Sequence, residues 1–449
     1  MANIKLITHS SVLIQDGSSF ILTDPWFEKP AFGSWLPTPP TSIHPVYLLA
    51  LANSNSNFNI VVSHGHDDHL DDDFLSLFPK STNITIPKYI SKGLYKRIER
   101  LGFTNINEVD TSGEVLGNFT IKSYINMEIS RDDAILTIEG SDFFIVHAND
   151  NWQELVGENL EKLKCDTRKF NSNKILYMSQ CNLADGWPNI YRSYSEMEKQ
   201  EIHSKRVDNI ISNGLLNADK LGAAYFLNYA GYAAAYVKGK DRLKNIASYT
   251  TNLHLNKIRD KFKRNVEVLK MLPGDSFDFS NIHNQFSSIS LDNDVLKNQS
   301  YKFYEKYDRI KKCDSYREYR SLSESQIEEG LSAFLIGFKD FVETRVYKLN
   351  FNVDILGCKI VFSCSDLDVR SEIIVGKEEQ LDGRVIEFVT SSSMFSEIIL
   401  KSINWENLYI GYGSEVIATP KNANMRSVVR WLAMYGYFYQ RRKVIDERR

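Results

Sequence analysis

The segment that most constrains the fold is NFNIVVSHGHDDHL, residues 57–70, where three of the chain's nine histidines follow an apolar, β-branched run. The run predicts a buried strand, because no polar side chain interrupts it between Ile60 and Val62. In an extended chain, side chains two residues apart face the same way. His64 and His66 are therefore expected to project together from the end of this strand.

Apolar residues recur at helical spacing from Leu70 to Phe78, which predicts that a helix begins near Asp68. Asp68 and His69 would then lie in its first turn and approach the two preceding histidines from another side. Asp67 and Asp71–Asp73 are expected in solvent, where their carboxylates would stabilise the N-terminus of the helix. Imidazole nitrogens suit zinc or iron, and a carboxylate adds a hard ligand. The stretch therefore predicts a metal site, with a polar loop as the alternative.

Further strand-like segments surround this motif and predict an α/β fold. IKLITHSSVLIQD and SSFILTDPW, joined by a Gly-Ser turn, predict a hairpin, and the series continues through AILTIEGSDFFIVHA and NKILYMSQ with helices between. Such a pattern indicates α/β layers around stacked sheets. We predict a metal-binding domain over residues 1–285, a helical connection over 286–345 and a small C-terminal α/β module over 346–449, which we expect to cover the mouth of the site.

The composition bears on which partners the chain binds and on which cell compartment it occupies. The net charge of −3 gives no reason to expect nucleic acid or an anionic membrane as a partner. The N-terminal residues do not have a signal-peptide pattern, and no apolar run approaches the length of a membrane span. The five cysteines form no Cys-x-x-Cys or Cys-x-His pair, which favours buried structural thiols in a reducing cytoplasm.

His-x-His-x-Asp-His after a strand resembles the signature of the metallo-β-lactamase superfamily, an αββα sandwich with metals at its rim. Other segments narrow the resemblance to the CMP-N-acetylneuraminate hydroxylase family. They occur in the same order between about residues 10 and 280: ILTDPWFEKPAFGSWLPTPP, VVSHGHDDHL, FFIVHANDNW, YMSQCNLADGWP, LNYAGYAAAY and LPGDSFDF.

The resemblance implies a ligand set of one or two divalent ions, iron or zinc. His64 and His66 would bind one metal, and Asp68 and His69 would form a second position. Asp150 matches the bridging carboxylate, a role that suits a carboxylate just past a strand end. The alternative for Asp150 is an aspartate that closes an Asx-turn.

Two family histidines are missing, so a complete two-metal site is in question. Glu128 lies near the position of one and could substitute, although a solvated glutamate is the alternative. The other position aligns with residues 236–237, which cannot coordinate in the usual way, and His203 and His254 are downstream candidates. His147 and Asn149 lie beside the bridging carboxylate, where they could line the site or orient a ligand, and His147 could equally be a packed core histidine.

Three functions stay open on the sequence. The first is an oxygenase like the hydroxylase family, which would need an external electron-transfer protein because the chain lacks the Cys-x-His pairs of a Rieske cluster. The second is a zinc-dependent hydrolase acting on an ester, lactone, amide or phosphodiester, in which Asp68 or Asp150 positions or deprotonates a water. The third is a binding protein with a degenerate metal site.

The resemblance also implies a small anionic substrate, such as a nucleotide-activated sugar. Lys29, Lys88 and Arg192 lie in loop-like segments near the matched regions and could contact an anion. Ordinary solvated charge is the alternative for each.

Overall fold

A computed structural model describes residues 2–125, 133–151, 153–239, 252–269, 271–280, 293–346, 357–376, 383–421, 428–436 and 439. Within these residues the strands are β1 (Ala2–Leu6), β2 (Val12–Asp16), β3 (Ser19–Thr23), β4 (Trp35–Pro37), β5 (Phe58–Val61), β6 (Asn83–Pro87), β7 (Ile106–Val109), β8 (Glu114–Leu116), β9 (Phe119–Ile125), β10 (Ala134–Glu139), β11 (Phe144–Asn149), β12 (Ile175–Ser179), β13 (Tyr225–Asn228), β14 (Ala233–Ala235), β15 (Glu267–Leu269), β16 (Ser276–Phe277), β17 (Cys358–Cys364), β18 (Arg370–Val375), β19 (Val385–Thr390) and β20 (Glu415–Thr419).

The α-helices of the same residues are α1 (Pro45–Ser54), α2 (Asp72–Leu75), α3 (Gly93–Arg100), α4 (Gly157–Thr167), α5 (Glu196–Lys220), α6 (Asn252–Lys261), α7 (Asn293–Lys306), α8 (Glu324–Phe341), α9 (Ser392–Ile399), α10 (Trp405–Tyr409) and a last helical segment, residues 428–436. Short 3₁₀ turns lie at Ser172–Lys174, Ile310–Lys312 and Asp314–Tyr316, and a π-turn at Val342–Val346 follows α8.

Two seven-stranded sheets form the N-terminal part. Their orders are β16-β1-β2-β3-β5-β6-β7 and β15-β13-β12-β11-β10-β9-β8. In each sheet one half is antiparallel and the other parallel: β3, β5, β6 and β7 run parallel in the first, and β11, β12, β13 and β15 run parallel in the second. The parallel halves place several carboxyl strand ends at one edge of each sheet, where ligands commonly bind in α/β proteins.

The sheets pack face to face, and helices cover both outer faces. Between the sheets lies a core that includes Ile14, Ile21, Ile121, Leu136 and Ile138. A second cluster packs α1, α2 and α3 on the outer face of the first sheet, and a third packs α4, α5 and α6 on the second. These layers are the predicted αββα sandwich, so the fold prediction is confirmed.

A buried carboxylate fixes α4 to the second sheet. Asp166 accepts hydrogen bonds from the Lys122 Nζ at 2.8 Å, the Lys169 Nζ at 2.8 Å and the Tyr124 hydroxyl at 2.5 Å. Burial alone would raise the pKa of Asp166, but these three donors outweigh it and lower the pKa to about 2.

We therefore expect Asp166→Asn to destabilise the protein in a pH-dependent way. A lowered pKa gives stability that is present above the unfolded value of about 3.9 and is lost as the pH falls toward the folded value. The group is partly solvated, so we expect a loss of about 1 kcal/mol at pH 6 that shrinks toward pH 2. Urea unfolding between pH 2 and 6 checks this, with Asp142→Asn in an exposed ion pair as the control. A difference that does not change with pH would contradict it.

A separate four-stranded sheet, ordered β18-β17-β19-β20, forms the C-terminal part. Its core combines aromatic residues of α8, the sheet, α10 and the last helical segment, including Phe334, Phe362, Trp405 and Tyr435. The same core includes Trp35 from the rim of the sandwich, so the two parts share one apolar cluster. The structure places α8 against β18, and the predicted domain boundaries at 285 and 345 stay predictions.

The rim loop of the sandwich, residues 26–38, contacts both the C-terminal part and the 3₁₀ turn Asp314–Tyr316 closely. The Trp35 indole donates to the Ile410 carbonyl at 2.8 Å. Gly33 has a left-handed φ of 74°, and an added Cβ would lie 1.8 Å from the Asp314 carboxylate. An added Cβ at Gly411 would lie 1.9 Å from the Phe32 carbonyl. Glycine is therefore required at both positions for this contact to form.

All five cysteines are free thiols. Cys181, Cys313 and Cys358 are buried as predicted, but Cys165 is exposed on α4, which corrects the expectation that every thiol is buried. Among the described residues no helix is both long and apolar enough to cross a membrane. The cytoplasmic location stays a prediction.

Candidate metal centre

The site is built where strands that run in the same direction end. β1 and β3 are both antiparallel to β2, and β3 is parallel to β5, so these three strands share a carboxyl edge. His9, Asp24 and His64 follow β1, β3 and β5 at that edge. From the facing sheet, Asp150 follows β11. Strand direction therefore brings residues from distant parts of the sequence to one place.

The loop after His64 differs from the predicted helix start. Residues 67–69 form a turn, in which the His69 amide donates to the His66 carbonyl at 3.1 Å, and α2 begins only at Asp72. Asp71 is the N-cap residue: its Oδ1 accepts from the Asp73 and Phe74 amides at 3.1 Å each. Asp71 is 2% exposed. It is a buried cap and not the surface charge that the sequence suggested.

Arg97 on α3 holds this loop in place. Its guanidinium pairs with Asp67 at 3.1 Å and with Asp72 at 2.8 Å, and it donates to the Gly65 carbonyl at 2.6 Å. Asp67 and Asp72 are therefore ion-paired instead of simply solvated, whereas Asp73 is exposed as predicted. A fork of donors that contacts both ends of the loop fixes the backbone between the histidines.

Two groups of potential metal ligands lie side by side. The first is His64, His66 and Asp150, and the second is His9, Asp68 and His69. Within each group the ligand atoms all lie within 4.8 Å of one another. His64 Nε2 and His66 Nδ1 are 2.8 Å apart. These chemical types and spacings suit a divalent metal ion.

Asp150 lies between the two groups. Its Oδ2 is 3.6 Å from His64 Nε2 and 3.9 Å from His66 Nδ1, while its Oδ1 is 3.5 Å from His69 Nε2. The two oxygens of one carboxylate therefore face different groups. That is the geometry required of a carboxylate that bridges two cations or orients one cation and a neighbouring ligand.

Asp24 orients His69 from behind. The Asp24 Oδ2 is 2.9 Å from His69 Nδ1 and accepts the Ser63 hydroxyl at 2.8 Å, while its Oδ1 accepts the Ser63 amide at 2.7 Å. Both Asp24 and His69 are fully buried. A carboxylate on Nδ1 leaves His69 Nε2 facing Asp150 and Asp68, which is how outer partners fix a ligating histidine.

His147 and Asn149 are buried beside the site, but neither is in a ligand group. The Tyr229 hydroxyl is 2.9 Å from His147 Nε2, and His147 Nε2 is also 3.5 Å from the Asp24 carboxylate. The Asn149 amide donates to the Ala134 carbonyl at 2.6 Å, and its oxygen accepts from the Asp150 amide. Asn149 has a left-handed φ of 41°, so it turns the chain just before the carboxylate. Both residues stay predicted outer partners.

The titratable side chains of the two ligand groups shift one another's pKa values. Burial and the neighbouring imidazoles of His69 and His66 lower the pKa of His64 to about 4. Burial also lowers the pKa of His66, but the nearby Asp150 carboxylate and the charges of Glu406 and Asp133 outweigh it and raise that pKa to about 10. Burial alone would raise the pKa of Asp150, but the charge of His69 and the close approach of His66 and His64 hold that pKa well below its usual range. A bound cation would replace these imidazole protons.

A cavity of about 230 Å³ opens onto the two groups. Its lining includes aromatic and amide side chains, together with Ile410 of the C-terminal part. The aromatic and amide residues are Trp26, Phe32, Trp35, Gln153, Gln180 and Asn182. Among the described lining residues there are three aspartates, Asp68, Asp133 and Asp150, and no lysine or arginine.

Several residues singled out from the sequence do not line this cavity. Lys88 pairs with Asp110 at 3.7 Å and Arg192 with Glu415. Lys29 and His203 are described and belong neither to the lining nor to a ligand group. Glu128 and the His254 side chain lie outside the described residues.

Sequence reasoning missed His9, Asp24 and Arg97. Asp24 carried a usable signal, because it ends a predicted strand in LTDP, whereas His9 lies inside IKLITHSSVLIQD, which was predicted as one arm of a hairpin but forms β1 and β2 with His9 between them. The sequence does not give the order of the strands in the sheet. Without that order, the three strand ends cannot be placed at one edge. Arg97 carried no signal, since its partners lie 25 to 32 residues away in sequence.

Known proteins were compared with the chain by sequence and by structure. No protein-family model matches it. A Mycolicibacterium smegmatis protein described as "Putative Rieske 2Fe-2S iron-sulfur protein" is 33% identical over 107 residues, which is 24% of this chain and 20% of that protein. The chain thus matches a fifth of the length of this relative.

Solved structures with a similar fold include a "possible metal-dependent hydrolase" from Veillonella parvula, with 14% identity and a TM-score of 0.39 over 62% of this chain and 99% of that one. They also include CmlA, a diiron beta-hydroxylase from Streptomyces venezuelae, with 14% identity and a TM-score of 0.38 over 62% of this chain and 54% of that one. At these scores the fold assignment rests on the layers and sheet orders of the chain itself. These layers and sheet orders give the chain the αββα metallo-β-lactamase fold, with His and Asp side chains gathered at its rim.

Proposed function

We propose that this protein is a metal-dependent enzyme, an oxygenase that uses iron and receives electrons from a separate protein. The main support for a metal is the position of Asp150. One of its oxygens faces the first group of His and Asp ligands and the other faces the second. His64, His66 and Asp150 would hold one ion, and Asp68, His69 and Asp150 would contribute to a second position.

The residues present fit a metal. His69 Nε2 and Asp68 Oδ1 are buried and have no hydrogen-bond partner among the described residues. Leaving such groups unpaired costs roughly 1–3 kcal/mol each, and more when they are charged. A cation between them would satisfy both. Chance clusters of solvated acids do not have this property, because their oxygens contact water.

A divalent metal would supply Lewis acidity to this site or, as iron, a redox centre that takes its electrons from the separate donor protein. The chain's own residues orient the potential ligands of this site. Asp24 fixes His69 so that Nε2 faces the ligand groups, and Arg97 fixes the loop that carries His66 and Asp68. With a single ion bound, Asp150 would keep one oxygen free to accept a proton, whereas with both positions filled that role would fall to Asp68. Trp26 and Trp35 contribute apolar surface to the cavity lining.

Two observations support a separate electron donor: a segment that the chain shares with a relative, and the lack of a Cys-x-His pair in this sequence. The relative from M. smegmatis is described as a Rieske protein. A Rieske cluster needs two cysteines and two histidines, and this sequence has no Cys-x-His pair. The shared segment is therefore not a cluster-binding motif. We infer that the cluster resides in a different protein that docks to this one.

We infer that the substrate is a small anionic molecule, such as a nucleotide-activated sugar. No lysine or arginine is among the described lining residues, so an anion would bind mainly through the metal ions. Gln153, Gln180 and Asn182 offer hydrogen bonds for hydroxyl or base groups, and the tryptophans offer flat apolar surfaces.

Elemental analysis of the purified protein tests the proposal. We expect one or two equivalents of iron, a lower melting temperature after chelation, and O₂ consumption by iron-loaded protein when a reductant is added. Zinc-loaded protein is the matched control and should consume no O₂.

The outcomes separate the three functions. Tightly held zinc without iron would overturn the oxygenase and favour a hydrolase that activates water. Failure to retain iron or zinc after reconstitution, with no change in melting temperature on chelation, would overturn both enzymes and favour a binding protein.

A further inference from the structure

We propose that His9 is a protein ligand of the second metal position, in place of the family histidine that is absent near residues 236–237. The inference rests on the proposed metal centre and adds a residue to it from an unexpected part of the chain. A histidine from the loop after β1 would then meet Asp68 and His69 from the loop after β5.

Distances place His9 with these two residues. His9 Nε2 is 3.5 Å from the Asp68 Oδ2, and that oxygen is 4.0 Å from His69 Nε2. One ligand atom from each residue can be chosen so that all three lie within 4.8 Å of one another. The His9 and His69 rings meet edge to face, 6.0 Å apart. Three ligands that converge on one point are typical of a site that leaves a further position open.

The polar atoms of this group are buried and incompletely paired. His9 is 5% exposed, yet its Nδ1 has no hydrogen-bond partner among the described residues, as is also true of Asp68 Oδ1 and His69 Nε2. Buried polar atoms without a hydrogen bond are costly for a fold. A cation held by one nitrogen of His9, by Asp68 and by His69 would satisfy the Asp68 and His69 atoms, whereas the other His9 nitrogen diverges from it and would not be satisfied by the same ion.

His147 provides a comparison within the same protein. It is as buried as His69, but its Nε2 lies 2.9 Å from the Tyr229 hydroxyl, and it belongs to neither ligand group. A structural histidine next to this site thus has a polar side-chain partner of its own. His9 has its Nε2 on Asp68 and an unpaired Nδ1 instead.

The loop that carries His9 is held rigidly, as a ligand requires. The Thr8 hydroxyl donates to the Trp26 carbonyl at 2.6 Å, and the Ala230 amide donates to the His9 carbonyl at 2.8 Å. The Ser10 hydroxyl donates to the Asp68 carbonyl at 3.0 Å, which ties this loop to the one it faces. None of these bonds uses the imidazole, so the loop should keep its shape when His9 is replaced.

Cobalt titration of metal-free protein tests the inference, followed by calorimetry and visible absorption. We expect wild type to bind two Co²⁺ ions and His9→Ala to bind one, with the absorption of the second ion lost. His9→Gln distinguishes a ligand from a positioning residue, because the glutamine amide can still donate to Asp68 but is a poor metal ligand. We expect His9→Gln to behave like His9→Ala, and His203→Ala on α5 to behave like wild type.

Two results would overturn the role of His9 without affecting the proposed function: two ions with an unchanged spectrum in both His9 variants, or a single ion in wild type. Two ions in His9→Gln but one in His9→Ala would make His9 a positioning residue for Asp68, which also overturns the inference. Absence of bound metal in wild type would instead refute the metal centre as a whole. Thermal unfolding of the metal-free variants verifies that each is folded.

Discussion

Asp150→Ala is expected to lose both metal ions, and His64→Ala to lose the ion of the first group while the second position survives. The difference follows from geometry, because the oxygens of Asp150 face both groups, whereas His64 lies 2.8 Å from His66 within one of them. Replacing an outer partner of a ligand typically costs about 10–100-fold in metal affinity. We expect a larger loss for these two ligands.

Metal content of the purified variants and calorimetric titration of the metal-free proteins check this. His44→Ala is a suitable control, because His44 is the N-cap residue of α1 and is in neither ligand group. Unchanged metal content in both His64→Ala and Asp150→Ala would refute the proposed centre.

Asp24→Ala is expected to destabilise the metal-free protein by about 3–5 kcal/mol, the cost of leaving one partner of a buried ion pair alone. The charge of His69 holds the pKa of Asp24 below its usual range despite full burial, and Asp24 also accepts two hydrogen bonds from Ser63. Its removal leaves the His69 ring and the end of β5 without their partner. Urea unfolding in the presence of a chelator measures this loss.

Asp24→Asn separates orientation from stability. The asparagine oxygen can still accept the Ser63 amide, but its NH₂ group would face His69 Nδ1 and favour the tautomer that protonates Nε2. We therefore expect a smaller loss of stability than in Asp24→Ala, together with a roughly 10–100-fold loss of metal affinity. Metal affinity equal to wild type in both variants would show that Asp24 does not control His69.

The layered fold was predictable because its signals are local. Apolar runs bounded by turns marked the strands of both sheets, and the buried run before His64 is β5. The start of α2 was placed too early, because the pattern of apolar residues begins at Leu70 while the N-cap is Asp71. Spacing shows which residues face the core, but here the cap hydrogen bonds set the first helical residue.

The site was half predictable for a related reason. His64, His66, Asp68 and His69 are contiguous, so their chemistry is visible in one motif. Asp150 was found through a resemblance. His9 and Asp24 reach the site through the order and direction of β1, β2 and β3, which no short motif encodes. If His9 binds metal, the fold supplies from another strand end a ligand that is missing from the sequence pattern.

The shared core between Trp35 and the C-terminal part has a consequence for how this site can change. All six side chains of the two ligand groups belong to the sandwich, whereas Ile410 in the cavity wall belongs to the segment that Trp35 contacts. A substitution of Ile410 would thus alter which molecules fit while the coordinating atoms stay in place. Selectivity and reactivity can diverge independently in such a chain, because different stretches of sequence specify them.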